Sequence, residues 1–328
     1  MIYLIFKQYP NIMMAAGVFF TFLLTFVVIS KRKEKLPTDC GREFAVDGSL
    51  SKGKPQGAGL YFIISFMVGC LLFSPIFYLG MDATIELMVY LLCIFLEMIT
   101  GYLDDRSDIP WGRTKKGLLD LFVSLAVAAN FIYYQGSTIL VIEKAIEIPE
   151  PVMFILIVAL CWGMINVTNC ADGVDSLSGT LVIVTILSFF IADMFLGKFG
   201  SFNYFIVFFI VALAAYLWFN AYPSVVLMGD AGSRAMGVFI CITALKSKHP
   251  LLVVPFALVI ILDGGLGLLK VSVIKITKNK NFMNKIRTPL HDHVRKNLEN
   301  KWGNVQCVMR FVLIQIIISV ATIYMFMR

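Results

Sequence analysis

Long apolar runs, each bounded by a short polar stretch, recur from near the start of the chain to its end. A helix that crosses a bilayer takes roughly 20 mostly apolar residues. By that measure the runs predict spans near 12–30, 58–80, 84–103, 117–136, 151–166, 177–196, 204–221, 235–246, 250–270 and 307–326. Hydrocarbon tolerates only backbone whose hydrogen bonds close on themselves, so uninterrupted runs of this kind predict helices. The expectation is an all-α, polytopic membrane protein of about ten transmembrane helices, a single integral domain over 1–328. The run at 235–246 is short and that at 151–166 marginal, so nine crossings is the alternative count. The first run lacks a small-residue cleavage pattern and ends in Lys31-Arg32-Lys33, which predicts a retained span rather than a cleaved leader.

Composition agrees. Hydrophobic residues make up 59% and charged residues 15%, with a mean hydropathy of +0.83, which excludes a water-soluble domain. The seven cysteines are scattered without a close pair, so neither a zinc site nor a disulfide framework is indicated. Of the 28 Lys and Arg residues, 21 fall in the loops 31–57, 104–116, 222–234 and 270–306. Basic residues in short loops mark the cytoplasmic side, so both termini are expected to be extracytoplasmic. The net charge of +7 suits orientation and anionic headgroups of the lipid bilayer, with no nucleic acid partner indicated.

The same orientation places every acidic cluster at the cytoplasmic face. Asp104, Asp105 and Asp108 follow the third span in GYLDDRSDIPWG, where a hydrated turn is the competing reading. In NVTNCADGVDSLSG, residues 166–179, Asp172 and Asp175 are three apart and would face one way on a first helical turn, near the positive end of its dipole. Capping alone would account for those two aspartates but not for Asn166 and Asn169. In NAYPSVVLMGDAGSRAMG, residues 220–237, Asp230 stands between Gly229 and Gly232, small neighbours that let a ligand or ion approach the backbone. TPLHDHVRKN, residues 288–297, sets His291 and His293 around Asp292, with Arg295 and Lys296 beyond. Imidazoles and basic side chains in this pattern suit phosphate oxygens, whereas surface decoration is the plain alternative.

Taken together, carboxylates from distant segments suit a hard divalent cation, most simply magnesium, which takes few protein oxygens and shares the rest of its shell with phosphates. That is the equipment of a phosphoryl transfer. No GxxxxGK[ST] loop occurs, which disfavours an ATP-driven pump. A secondary transporter would carry its acids near the midplane, where Glu97, Asp120 and Asp193 are the available residues.

Five ordered segments, SKGKPQGAG at 51–59, LDDRSD at 103–108, 166–179, WFNAYPSVVLMGDAGS at 218–233 and TPLHDHVRKN, together resemble the polyprenyl-phosphate N-acetylhexosamine-1-phosphate transferases, most closely their muramoyl-pentapeptide branch. The resemblance implies a magnesium-dependent exchange at the inner leaflet of the bacterial cytoplasmic membrane. The donor is UDP-N-acetylmuramoyl-pentapeptide, the acceptor undecaprenyl phosphate, and the products lipid I and UMP. It further implies a homodimer, Asp230 as the main magnesium ligand with Asp105 beside it, and Asp104 and Asp105 as the catalytic pair. Lys52, Asn166, Asn169, Asp172, Gly173, Asp175 and Asn220 become contacts of the nucleotide and diphosphate, with His291 and His293 on the diphosphate side. A sister activity, transfer of N-acetylglucosamine-1-phosphate to the same lipid, is the alternative.

The chain departs from the family pattern in three places. His-Asp-His replaces three consecutive histidines, the Lys52 loop lacks its usual threonines, and no lysine follows Gly117-Leu118 where one is usual; Lys115 or Lys116 is the substitute to hand. The glycines of Asp263-Gly264-Gly265-Leu266-Gly267 suggest either a bend that opens a groove to the lipid carrier or close helix packing, and the resemblance favours the bend.

Overall fold

The computed structural model describes residues 1–41, 46, 48, 49, 51–141, 144–196 and 200–326. Arg42, Lys198 and Arg328, all part of the charge pattern above, lie outside that set. A one-turn α1 (Ile2–Ile5) precedes α2 (Pro10–Arg32), whose proline sits in the first turn, where its missing N–H costs nothing. Then come α3 (Gly59–Phe73), α4 (Met81–Asp105), α5 (Arg113–Gln135), α6 (Glu150–Ala171), α7 (Leu177–Phe195), α8 (Phe202–Asn220) and α9 (Gly229–Lys246). The chain closes with α10 (Val253–Phe256), α11 (Leu258–Thr277), α12 (Leu290–Lys296) and α13 (Asn304–Phe326). Between α5 and α6, β1 (Thr138–Val141) and β2 (Lys144–Glu147) pair antiparallel, with Thr138 opposite Glu147 and Val141 opposite Lys144.

Among the described residues eight helices are long and apolar enough to cross a membrane, and α10 with α11 makes a ninth if that bent pair is one span. The difference from ten lies in α9. Its polar start, Gly229 to Arg234, is wound into the helix rather than left as loop, and every residue from Gly229 to Leu245 is buried. Helices α3, α4, α6 and α7 all pack on α9, making it the axis of the bundle. Phe209 stacks on Phe239 of α9 at 3.9 Å between ring centroids, and Phe62 and Phe66 of α3 close edge-on around the pair. By contrast α2 and α13 leave Phe19, Leu23, Ile317 and Val320 exposed, as lipid-facing helices do.

The expected bend at Gly264–Gly267 is not where the chain turns. The axis breaks by 87° between α10 and α11, at Ala257, and α11 runs unbroken through the glycines. Gly264 serves close packing instead: a Cβ there would strike the Val167 carbonyl oxygen of α6. The second predicted span, 58–80, is matched by an apolar span over Gly59–Tyr78, in which α3 ends at Phe73 because Ser74 precedes Pro75 and is held extended, and a 3-10 turn at Ile76–Tyr78 completes the length.

Candidate active site

The first turn of α9 is where the chain's polar segments meet. Leu227 exchanges backbone hydrogen bonds with Pro55, Gly57 and Ala58, and Met228 accepts from Gly59 N, so the loop before α3 is sewn to the entry of α9. Gly229 then turns with φ +68, and a Cβ at that position would collide with the Asp105 carboxylate. A helix start leaves N–H groups without intrahelical partners. Here Asp105, at the end of α4, takes two of them: Asp230 N donates to Oδ1 at 3.0 Å and Ala231 N to Oδ2 at 3.1 Å, with Gln56 Nε2 also donating to Oδ1 at 2.8 Å. The approach is possible because Gly101, one turn earlier on α4, has no side chain; a Cβ there would come within 2.5 Å of the Asp230 carbonyl.

This docking sets Asp230 against residues of two further helices. Lys116, in the first turn of α5, lies between Asp104 Oδ2 and Asp230 Oδ2, the latter at 2.9 Å. Asn169 of α6 donates to Asp230 Oδ1 at 2.9 Å and to Ser233 Oγ at 3.0 Å. Asp104 is further fixed by the Trp111 backbone N–H, which donates to Oδ1 at 2.7 Å. Carboxylates from α4 and α9 thus converge on one cationic point.

Their hard oxygens are the donor chemistry that magnesium takes, and the ammonium already drawn between them marks the position as one that calls for positive charge. Among the described residues no group of three or more His, Cys, Asp or Glu side chains is arranged to hold a metal by itself. An ion there would depend on water and on substrate phosphates for most of its shell. The structure offers Asp104 as the partner of Asp230 at this point, while both oxygens of Asp105 are engaged by N–H donors.

Beside this cluster opens a cavity of about 390 Å³, lined among others by Lys54, Asp172, Gly173, Asp175, Asn220 and Arg295, and reaching Gly229. Asp175 Oδ2 accepts from Ser224 N at 3.0 Å, and Lys54 Nζ lies 3.9 Å from the same oxygen while donating to Ser224 Oγ at 2.9 Å. Asp172 Oδ1 accepts from Ser178 Oγ at 2.6 Å. Asn220 spans the loop ends, accepting from Ser176 N and donating to Val226 O. His291, in α12, is buried; its backbone N–H donates to Asp263 Oδ1 at 2.7 Å, its Nδ1 lies 2.8 Å from Asp263 Oδ2, and its ring packs on Gly173. His293 is half-buried and accepts from Arg287 N.

Two sequence expectations change here. Asp172 and Asp175 do not share a first helical turn: α6 continues to Ala171, so Asn166 and Asn169 are helical, Asp172 follows the end of that helix, and both aspartates lie in the loop before α7. Lys52 is exposed and outside the cavity lining, whereas Lys54, two residues on, is in it. Gln56, Lys54 and Asp263 were not singled out as contacts, since a lone Gln, the second of two loop lysines and an Asp beside glycines each read as ordinary. Of the two lysines before Gly117, Lys116 reaches the carboxylates of Asp104 and Asp230, while Lys115 lies over the Trp111 ring, 3.2 Å from its centroid.

The family model for glycosyl transferase family 4 matches residues 87–248, which run from within α4 to the end of α9 and hold the segments of Asp104 and Asp105, of Asp172 and Asp175, and of Asp230. A phospho-N-acetylmuramoyl-pentapeptide-transferase of Treponema pallidum is 34% identical across 94% of this chain and 88% of its own length. The proteins of the same name from Brachyspira hyodysenteriae and Wolbachia pipientis are 27% and 25% identical, across 81% and 94% of this chain and 79% and 98% of their own lengths.

Proposed function

The chain belongs to the phospho-N-acetylmuramoyl-pentapeptide-transferase family, and from that premise we propose that it transfers phospho-N-acetylmuramoyl-pentapeptide from UDP-N-acetylmuramoyl-pentapeptide to undecaprenyl phosphate, giving lipid I and UMP for peptidoglycan. The single observation that carries the reading is the convergence of Asp104, Asp230 and Lys116, from three helices, next to a cavity that mixes acidic and basic groups. Such a site can hold two phosphorylated reactants whose negative charges would otherwise keep them apart.

In the reaction an oxygen of the lipid phosphate forms a bond to the sugar-bearing phosphorus of the donor, and the bond from that phosphorus to the uridylate oxygen breaks, releasing UMP. The work assigned to the chain is positioning and charge compensation. Lys116 balances the charge of the Asp104 and Asp230 carboxylates, Asn169 fixes the rotamer of Asp230, and Lys54 and Arg295 offer positive charge to donor phosphates within the cavity. Asp263 orients the His291 ring. Magnesium, held by Asp230 and Asp104, would neutralise charge on the diphosphate and on the leaving group.

We further assign α9 as a tenth crossing beside the eight apolar helices and the bent pair, with both termini extracytoplasmic and the site at the cytoplasmic face of the bacterial cytoplasmic membrane. The clustering of basic residues in the loops on the side of Asp104, Asp230 and His291 supports this orientation. A homodimer is part of the same proposal.

Purified protein in detergent, given magnesium, undecaprenyl phosphate and one donor, tests the reading. UMP should be released with UDP-N-acetylmuramoyl-pentapeptide and not with UDP-N-acetylglucosamine, and Asp230→Ala should abolish release while the protein stays folded. Release with UDP-N-acetylglucosamine alone would assign the chain to the sister activity.

A further inference from the structure

Beneath the convergent cluster the same four helices repeat it. The upper residues are Asp104 on α4, Lys116 on α5, Asn169 on α6 and Asp230 on α9. One or two turns deeper on each helix stand Glu97, Asp120, Asn166 and Arg234. They are joined in the same manner: Arg234 Nη2 meets Glu97 Oε2 at 2.8 Å and Asp120 Oδ1, and Asn166 Nδ2 donates to Asp120 Oδ2 at 3.1 Å. The signs invert on two helices, since cationic Lys116 stands above anionic Asp120 and anionic Asp230 above cationic Arg234. Glu97, Asp120 and Arg234 are at most 2% exposed. These are two of the three acids that a transporter reading would use, and the structure gives both to one arginine.

Burying three charged groups inside a bundle is expensive, and well-packed apolar residues can do as well for stability alone. Hydrogen-bond geometry does not explain their presence either. Arg234 uses only Nη2, leaving Nε and Nη1 without a hydrogen-bond partner, as is Glu97 Oε1, so this is not the saturated two-pronged lock that arginine can form with a carboxylate. What the arrangement does supply is one positive charge a single turn behind Asp230 and a fixed rotation of α4, α5 and α9 about their axes. Rotating any of these helices would carry Asp104, Lys116 or Asp230 out of the common point above.

We infer that Glu97, Asp120 and Arg234 are positioning residues, a lower tier whose charges hold the upper tier of Asp104, Lys116 and Asp230 in its ion- and phosphate-binding geometry. The inference rests on the transfer reading for its purpose, but not for its test. The triple variant Glu97→Leu/Asp120→Leu/Arg234→Leu removes all three charges together and strands none. With full-length protein in detergent, Mn2+ binding followed by electron paramagnetic resonance, without donor or lipid, should weaken about 10-fold or more, the range seen when residues behind a metal ligand are removed. UMP release should fall with it, while the thermal unfolding midpoint stays near that of the wild type. Arg234→Lys, which keeps a cation at the site, should recover most of the binding. Wild-type Mn2+ affinity in the triple variant would overturn the inference, as would an Arg234→Lys variant no better than the triple one. If the triple variant does not fold, isosteric Glu97→Gln carries the same reading, with unchanged Mn2+ affinity counting against it. Wild-type protein that binds Mn2+ but releases no UMP from either donor would count against the transfer reading, and this inference would then be decided by ion binding.

Discussion

The ammonium of Lys116 lies 2.9 Å from Asp230 Oδ2, bridging the start of α5 to the start of α9 across 114 positions of sequence, and it meets Asp104 of α4 as well. One cation therefore decides whether two carboxylates can share a site. Lys116→Met should lower the turnover rate by about 100-fold, the scale on which a single pre-organised charge contributes to transition-state stabilisation. It should also tighten Mn2+ binding, because Asp104 and Asp230 are then left facing each other without compensation. The opposite signs in UMP release and in ion affinity are the measurable outcome; a loss of both together would mean that Lys116 only supports the fold.

Asp105 does a different job from its neighbour. It receives the N–H groups of Asp230 and Ala231 across helices, so Asp105→Asn would turn an amide donor towards one of two backbone donors. The expected loss is about 1–2 kcal/mol of stability, the scale of a lost helix cap, read as a lower thermal unfolding midpoint in detergent. Activity should fall further than that loss predicts, since the first turn of α9 carries Asp230.

Gly101→Ala tests the same docking from the other side. The added methyl would meet the carbonyl of Asp230 at 2.5 Å, backbone that cannot swing aside as a side chain would. Overpacking of this kind costs about 1–3 kcal/mol. UMP release should drop at least about 10-fold as Asp230 is pushed off Lys116, with donor KM changing little.

Lys54 and Lys52 should separate cleanly. Lys54 lines the cavity and touches Ser224, while Lys52 is exposed outside it. Lys54→Ala is expected to raise donor KM by about 10-fold, a charge-assisted contact of roughly 1.4 kcal/mol; Lys52→Ala should leave it within about two-fold. The reverse order would place the donor elsewhere.

Asp263→Asn should reduce kcat/KM by about 10-fold or more without loss of folded protein, because Asp263 holds both the backbone N–H and the ring of His291. Steady-state kinetics beside a thermal unfolding scan will separate orientation of the ring from a general weakening of the contact between α11 and α12.

Much of this was legible along the chain. Apolar length alone places α2 to α8, the bent pair and α13, because the bilayer imposes one requirement on each segment regardless of its neighbours. The acidic segments stood out for a related reason: an aspartate at a membrane boundary is costly unless something compensates it. The start of α9 was harder to read. Gly229 to Arg234 looks like a polar loop, and it becomes helix only because Asp105 supplies acceptors for its first N–H groups and Arg234 finds Glu97 and Asp120. The glycines after Asp263 were ambiguous, since the same residue permits a bend or a close contact, and the Val167 carbonyl of α6 settled the matter.

The sequence by itself determined that this chain is helical, lives in a membrane and carries a family's ordered polar segments, since hydropathy and motif order are local properties that survive without a fold. Only the tertiary structure decided which carboxylate shares a cation with which, that Lys116 stands at that point, and that a second charged tier lies beneath it. Pairings between α4, α5, α6 and α9 depend on how each helix is rotated about its axis, and that angle is set by packing between segments far apart in the chain.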